Sequence, residues 1–322
     1  MCIEYKTFSD CRTFGVEMEL DPHFGQDKIG EILTNFESLE GLEKNVYIES
    51  KGNRWAESKH NDYWHVKYDS SCGPTGSKKN GGGWEVASYI AINKEELLSI
   101  ASSADFLKFC GAKVNNYCGL HIHANVANFS IGMMGIALAH WVKIESIMLQ
   151  ACPERRRRNR HCKPLRRKIN TYVKLSPRDF YFSLSPTYLG PHENNDKRYT
   201  LNLVGYTRMV NSVDDSRPTL ELRLPECLLD KSHVKGWTTL FLHFLNTSSN
   251  FKAMPKTLQP ASLIETLEIL GLSGNDENFI ILDKHLYDTK IWFLNRLIEY
   301  ATQPGLKQEA KRILSLVSNL RT

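Results

Sequence analysis

Glu17 and Glu19 stand two residues apart in Phe14-Gly15-Val16-Glu17-Met18-Glu19-Leu20. On an extended chain both carboxylates leave one face, while Val16, Met18 and Leu20 leave the other. Their backbone positions are then about 6.6 Å apart, at roughly 3.3 Å rise per residue. Two like charges so placed repel unless water, a cation or a metal lies between them; alone, the pair also fits a solvated sheet face. His121 and His123 repeat the spacing in Gly119-Leu120-His121-Ile122-His123-Ala124-Asn125, with Asn125 in the same register. Glu221 and Arg223 repeat it in Thr219-Leu220-Glu221-Leu222-Arg223-Leu224. By itself that third pair reads as a surface ion pair worth about 0–1 kcal/mol. Glu85, within Gly83-Trp84-Glu85-Val86-Ala87-Ser88, and Asp69, within Tyr68-Asp69-Ser70, add two more carboxylates.

Gathered on one sheet, these segments describe a face carrying Glu17, Glu19, Glu85, Glu221, His121, His123 and Arg223. Hard divalent cations take oxygen ligands, and Mg²⁺ combines one or two carboxylates with substrate phosphates. Such a face suits Mg²⁺–nucleotide chemistry, with arginine offsetting the charge that develops in phosphoryl transfer. A His/Glu metallohydrolase is the competing reading, although no HExxH motif is present. No GxxxxGK[ST] phosphate loop occurs either.

The elements that must hold these residues are legible in outline. Alternation predicts strands near 13–20, 63–68, 84–90, 119–126, 199–204 and 219–224. Asn93 and Glu96 have capping-box spacing for a helix to about Phe109. Met134, Leu138, Trp141, Ile144 and Met148 share a helical face within 133–149. Beyond Pro225 the periodicity is helical, through Trp237–Leu245, Ile291–Ile298 and Ile313–Val317. Segments 70–83 and 189–197 read as loops rich in Gly, Pro and polar residues. The order of elements is that of an α+β protein with a helical C-terminal part.

At these residues the chain resembles the amidoligase family of the carboxylate–amine ligase superfamily, relatives of glutamine synthetase and glutamate–cysteine ligase. The resemblance rests on Phe14–Glu19, Trp64–Ser71, Trp84–Ser88, Gly119–His123, Tyr199–Leu203 and Thr219–Arg223, in that order over about residues 12–226. Where many relatives carry proline after the Glu-x-x-Ser strand, this chain has Tyr89. The resemblance implies a glutamine synthetase-like antiparallel sheet forming a cleft, flanked by helices. Residues 1–227 would be the catalytic domain, and 228–322 a helical region packed on it. It further implies ATP and Mg²⁺ (or Mn²⁺) as cofactors and an amide formed through an acyl phosphate. Glu17, Glu19, Glu85, His121 and Glu221 would be metal ligands. Arg223, Arg208, His123 and Asn202 would contact the nucleotide. Arg223, Asp69 and Glu85 would act in the chemistry, with Asp69 either a metal ligand or the base for the incoming amine. Substrates would be a carboxylate and an amine, borne by small molecules, peptides or larger acceptors.

Of 322 residues, 41 are Lys or Arg and 36 Asp or Glu, giving a net charge of +5. Nine of the basic residues fall within 154–168; outside that run the balance is 32 against 35. The run could attract an anionic partner or nucleic acid, or could be a solvated surface. A nucleic-acid-binding protein with an inactive ligase-like sheet is therefore a third reading. The eight cysteines form no CxxC pair and are expected as reduced, mostly buried thiols. No basic, apolar leader opens the chain, and no run of about 18 apolar residues is evident. The expectation is a cytoplasmic protein without a membrane partner.

Overall fold

Residues Phe14–Leu20 (β1) begin a sheet whose strands alternate apolar and polar side chains. The structure is a computed structural model that describes residues 12–41, 44–49, 62–72, 82–168, 175–184, 198–211, 218–273 and 284–319. The chain divides into two compact units, Met1–Ala124 with Pro225–Thr238, and Asn125–Leu224 with Thr239–Thr322.

In the first unit the strands lie in the order β2 (Asn45–Ile48), β3 (Tyr63–Asp69), β4 (Gly83–Ala87), β1 and β5 (Leu120–Asn125). All neighbours are antiparallel except β2 and β3. The register puts Glu17 opposite His121 and Glu19 opposite Glu85, with Glu85 opposite Lys67. Directly paired residues share a face, so this polar row is fixed by the same register that buries the other face. There Val16, Met18, Trp64, Val66, Val86, Leu120 and Ile122 are almost wholly buried. Helices α1 (Gln26–Glu40) and α2 (Lys94–Phe109) supply further core side chains, including Ile29, Leu33, Phe36, Ile100 and Leu107. The Trp64 indole donates to buried Glu37. Segment 225–227 returns to this unit, with Leu120 N–H donating to the Pro225 carbonyl at 3.1 Å and Cys227 N–H to the Cys118 carbonyl at 3.0 Å. At Gly83 a Cβ would stand 2.0 Å from the Leu20 carbonyl oxygen and 2.7 Å from Cys72 Cβ. Only glycine permits that approach.

Helix α1 and strand β2 were not anticipated. The apolar spacing Ile29, Ile32, Leu33, Phe36 carries the helical signal, and Gly41 closes the helix at φ 67°. Asn93 caps α2 as expected, accepting from Glu96 N–H. The Glu96 carboxylate reaches back to Ile92 N–H.

The second unit is built on α3 (Ile131–Gln150), started by the Ser130 hydroxyl. Around it are α4 (Glu154–Arg157), α5 (Pro177–Leu184), α6 (Val204–Val210), the rest of α7 (Lys231–Ser248, which opens in the first unit), α8 (Leu263–Ile269), α9 (Lys284–Tyr300) and α10 (Pro304–Asn319). Every described element after residue 228 is helical, and the architecture is α+β as expected. Strands β6 (Leu201–Asn202) and β7 (Thr219–Leu222) pair antiparallel, with Asn202 opposite Glu221. The predicted strand at 199–204 is cut short because Asn202 Oδ1 accepts Val204 N–H at 3.0 Å, turning the chain into α6.

The expectation about apolar runs needs correction. Helix α3 is long and apolar enough to cross a membrane by length and composition, although 72% of that stretch is buried inside the protein. Its two charges are matched internally. Lys143 pairs with Glu265, and Glu145 accepts from Leu165 N–H at 2.6 Å, from Arg166 N–H at 2.9 Å and from the Thr200 hydroxyl. No disulfide joins the six described cysteines, five of which are buried. Cys2 and Cys11, like the loop at 189–197 and residues 73–81, lie outside the described residues.

Candidate functional site

The polar face of the first unit is a row of acids and imidazoles held by β-pairing. The buried His121 imidazole lies between two carboxylates, Nδ1 3.3 Å from Glu17 and Nε2 3.6 Å from Glu19. His123 Nε2 is 3.2 Å from the other Glu17 oxygen. Burial opposes ionisation of Glu17, but His123 and His121 outweigh it and hold its carboxyl well below the usual carboxylate range. Glu19 accepts Gly119 N–H at 2.5 Å, so the backbone of the β5 approach fixes its orientation.

Glu85 behaves in the opposite sense. Burial and the neighbouring Glu17 charge raise its pKa to about 8, outweighing the Lys67 ammonium 2.7 Å away. A raised folded-state pKa contributes stability below the ordinary value near 4.5 and loses it as pH rises through about 8. Metal-stripped protein is therefore expected to lose stability across that window. Glu85→Gln should flatten the loss, read as denaturation midpoint against pH; an unchanged slope would contradict this origin.

Asp69 accepts from both Ser71 N–H and the Ser71 hydroxyl, each at 2.7 Å. One of its oxygens, one from Glu19 and the Cys72 sulfur all lie within 4.8 Å of one another. Thus Glu17, Glu19, Glu85, His121, His123 and Asp69 belong to one strand system. Lys67 and Cys72 were missed. The alternation Lys67, Asp69 would have indicated the lysine, whereas nothing local in the sequence marks the cysteine.

Glu221, Arg223, Asn202 and Arg208 belong to the second unit. Glu221 is buried, accepting from the Asn202 amide at one oxygen and from Arg223 at the other. Both Asn202 side-chain polar atoms are thus engaged within the protein, with Glu221 and with Val204 N–H. Arg208 projects from α6 and is half-buried.

The basic run is not one solvated surface. Arg156 is 2% exposed and donates to the carbonyls of Leu224 at 3.1 Å and Arg223 at 2.7 Å, fastening the end of β7. Arg157 donates to the carbonyls of Cys152 and Tyr300 and to the side chains of Gln150 and Thr302. Arg158, by contrast, is exposed beside Glu154. Burial, followed by the charges of Arg160, Arg198, Arg223 and Arg156, lowers the His161 pKa to about 4. Arg156→Ala is expected to destabilise by about 1–3 kcal/mol for each orphaned carbonyl. Arg158→Ala should stay within about 0.5 kcal/mol. Equal denaturant midpoints for the two variants would contradict the distinction.

Comparison with known proteins places this geometry in a family. A family model described as "Putative amidoligase enzyme" matches residues 10–245. No curated protein matches. Among solved structures, the complex between Prokaryotic Ubiquitin-like Protein Pup and its ligase PafA aligns at 12% identity and a TM-score of 0.33, over 95% of this chain. The chain spans 63% of that chain's length. With the family match covering the polar strands of both units, the chain belongs to the amidoligase family.

Proposed function

We propose that this amidoligase joins a carboxylate to an amine at the expense of ATP, with Mg²⁺ (or Mn²⁺) held by the acidic strands. The observation that carries the reading is the β1–β5 register, which sets His121 between Glu17 and Glu19. The donor set fits a hard divalent cation: carboxylate oxygens with one imidazole. The Glu85 carboxyl supports the fit: burial raises its pKa most, and the neighbouring Glu17 and Asp69 charges that add to the rise are those a divalent cation would neutralise. Bound there, Mg²⁺ would supply Lewis-acid stabilisation of the charge that develops on phosphate.

In this reading Glu17, Glu19, Glu85, His121 and Glu221 are the metal ligands. His123, Arg208 and Arg223 bind the nucleotide, and Asn202 serves it through the orientation of Glu221. The substrate carboxylate attacks the γ-phosphorus, the bond to the β-phosphate oxygen breaks, and ADP leaves. Arg223 offsets charge on the transferred group. The amine nitrogen then attacks the acyl carbon, Asp69 takes its proton, and the carbon–oxygen bond to phosphate breaks. The products are amide, ADP and phosphate. Residues 1–227 carry these roles, and the helical remainder supports them.

Incubation with Mg²⁺-ATP and pooled acids and amines, followed by mass spectrometry, tests the reaction. The expected product has the mass of acid plus amine less water, formed only with ATP. Hydrolysis without ATP, abolished by zinc chelation, would favour a metallohydrolase instead.

A further inference from the structure

The Glu19–Asp69–Cys72 cluster differs chemically from the carboxylate–imidazole set beside it. Cys72, in the turn that follows β3, is fully buried, and its thiol shares a hydrogen bond with the thiol of buried Cys118. Asn115 organises the pair. Its amide donates to the Cys72 carbonyl at 2.9 Å and to Asp21 at 3.1 Å, and its N–H donates to Cys118 Sγ at 3.4 Å. The packing at Gly83, against Cys72 Cβ and the Leu20 carbonyl, fixes the turn against the strands. Cys72 therefore meets two carboxylates whose other contacts, Gly119 N–H and Ser71, already orient them, and Cys118 stands beside Cys72.

We infer that Glu19, Asp69 and Cys72, with Cys118 as a fourth donor, form a binding site for a thiophilic divalent cation of the zinc class. Thiolate ligands select such ions over Mg²⁺, and a two-sulfur, two-oxygen set suits tetrahedral coordination. Tetrahedral zinc places sulfur and oxygen ligands about 3.5 Å apart, given Zn–S of about 2.3 Å and Zn–O of about 2.0 Å. The donor atoms of Glu19, Asp69 and Cys72 already lie within 4.8 Å of one another. On binding, each coordinating thiol gives its proton to solvent, and no electron is transferred. The inference stands whether or not the protein is a ligase. Because Glu19 and Asp69 are shared, a zinc-class ion would draw Glu19 out of the proposed Mg²⁺ set and Asp69 out of its proposed role as base.

Titration of reduced, metal-stripped protein with Co²⁺ tests this. The wild type is expected to bind one equivalent with sulfur-to-cobalt charge-transfer absorption that is bleached by Zn²⁺ and persists in excess Mg²⁺. Cys72→Ser should abolish most of the band and Cys118→Ser reduce it by about half, with circular dichroism confirming folded protein. Should either serine variant fail to fold, Asp69→Asn keeps both thiols and is expected to weaken Co²⁺ affinity at least tenfold. No band in the wild type, a band indifferent to Cys72→Ser, or unchanged affinity in Asp69→Asn would overturn the site. Mg²⁺-ATP binding, measured on the same protein without Co²⁺, reports separately on the ligase reading.

Discussion

Glu17→Gln is expected to lower metal-dependent ATP turnover by about 10²–10³-fold, the scale of losing a preorganised electrostatic contact in a buried site, with the fold intact. Glu17 is the acid that both imidazoles of β5 approach, and they hold it ionised although burial opposes it. Glutamine keeps the shape and can still hydrogen-bond both rings, so the β1–β5 register should survive. What it removes is negative charge at the proposed metal. ADP release beside circular dichroism and thermal melting separates these effects. Turnover within threefold of wild type, in folded protein, would remove Glu17 from the site.

Arg223→Ala should cost still more, about 10³–10⁵-fold in ATP turnover, the range seen when an arginine offsets charge on a transferring phosphoryl group. Arg223 pairs with buried Glu221, whose other oxygen takes the Asn202 amide. Removing the guanidinium therefore also frees Glu221 to reorient. Arg223→Lys restores charge without the planar fork and should recover part of the rate. The Arg223 carbonyl is a backbone acceptor for Arg156, so the alanine variant keeps that anchor and should fold. Near-wild-type turnover in Arg223→Ala would refute its role, whereas a loss equalled by Arg223→Lys would implicate the bidentate geometry.

Side-chain alternation made much of the acidic face legible. Period two is obligatory in a strand, so Glu17/Glu19 and His121/His123 had to share faces once β1 and β5 were recognised, and apolar Val16, Met18, Leu120 and Ile122 made both recognisable. The partners across strands were not legible, because register depends on pairings between distant segments. Hence the Lys67–Glu85 contact and the meeting of Cys72 with Glu19 and Asp69 emerged only in three dimensions. Asn202 reads as a strand residue by composition, yet its side chain ends the strand by accepting from Val204. The arginines of 154–168 look alike in sequence. Burial separates Arg156, tied to two carbonyls, from exposed Arg158.

The central claim is that the face bearing Glu17, Glu19 and His121 holds a divalent cation that carries ATP. Calorimetric titration of ATP into the metal-stripped protein, with and without Mg²⁺ and repeated on Glu17→Gln, addresses it directly. The account predicts binding that requires Mg²⁺ in the wild type and is lost or greatly weakened in Glu17→Gln. Binding that ignores Mg²⁺, or that Glu17→Gln leaves untouched, would contradict it.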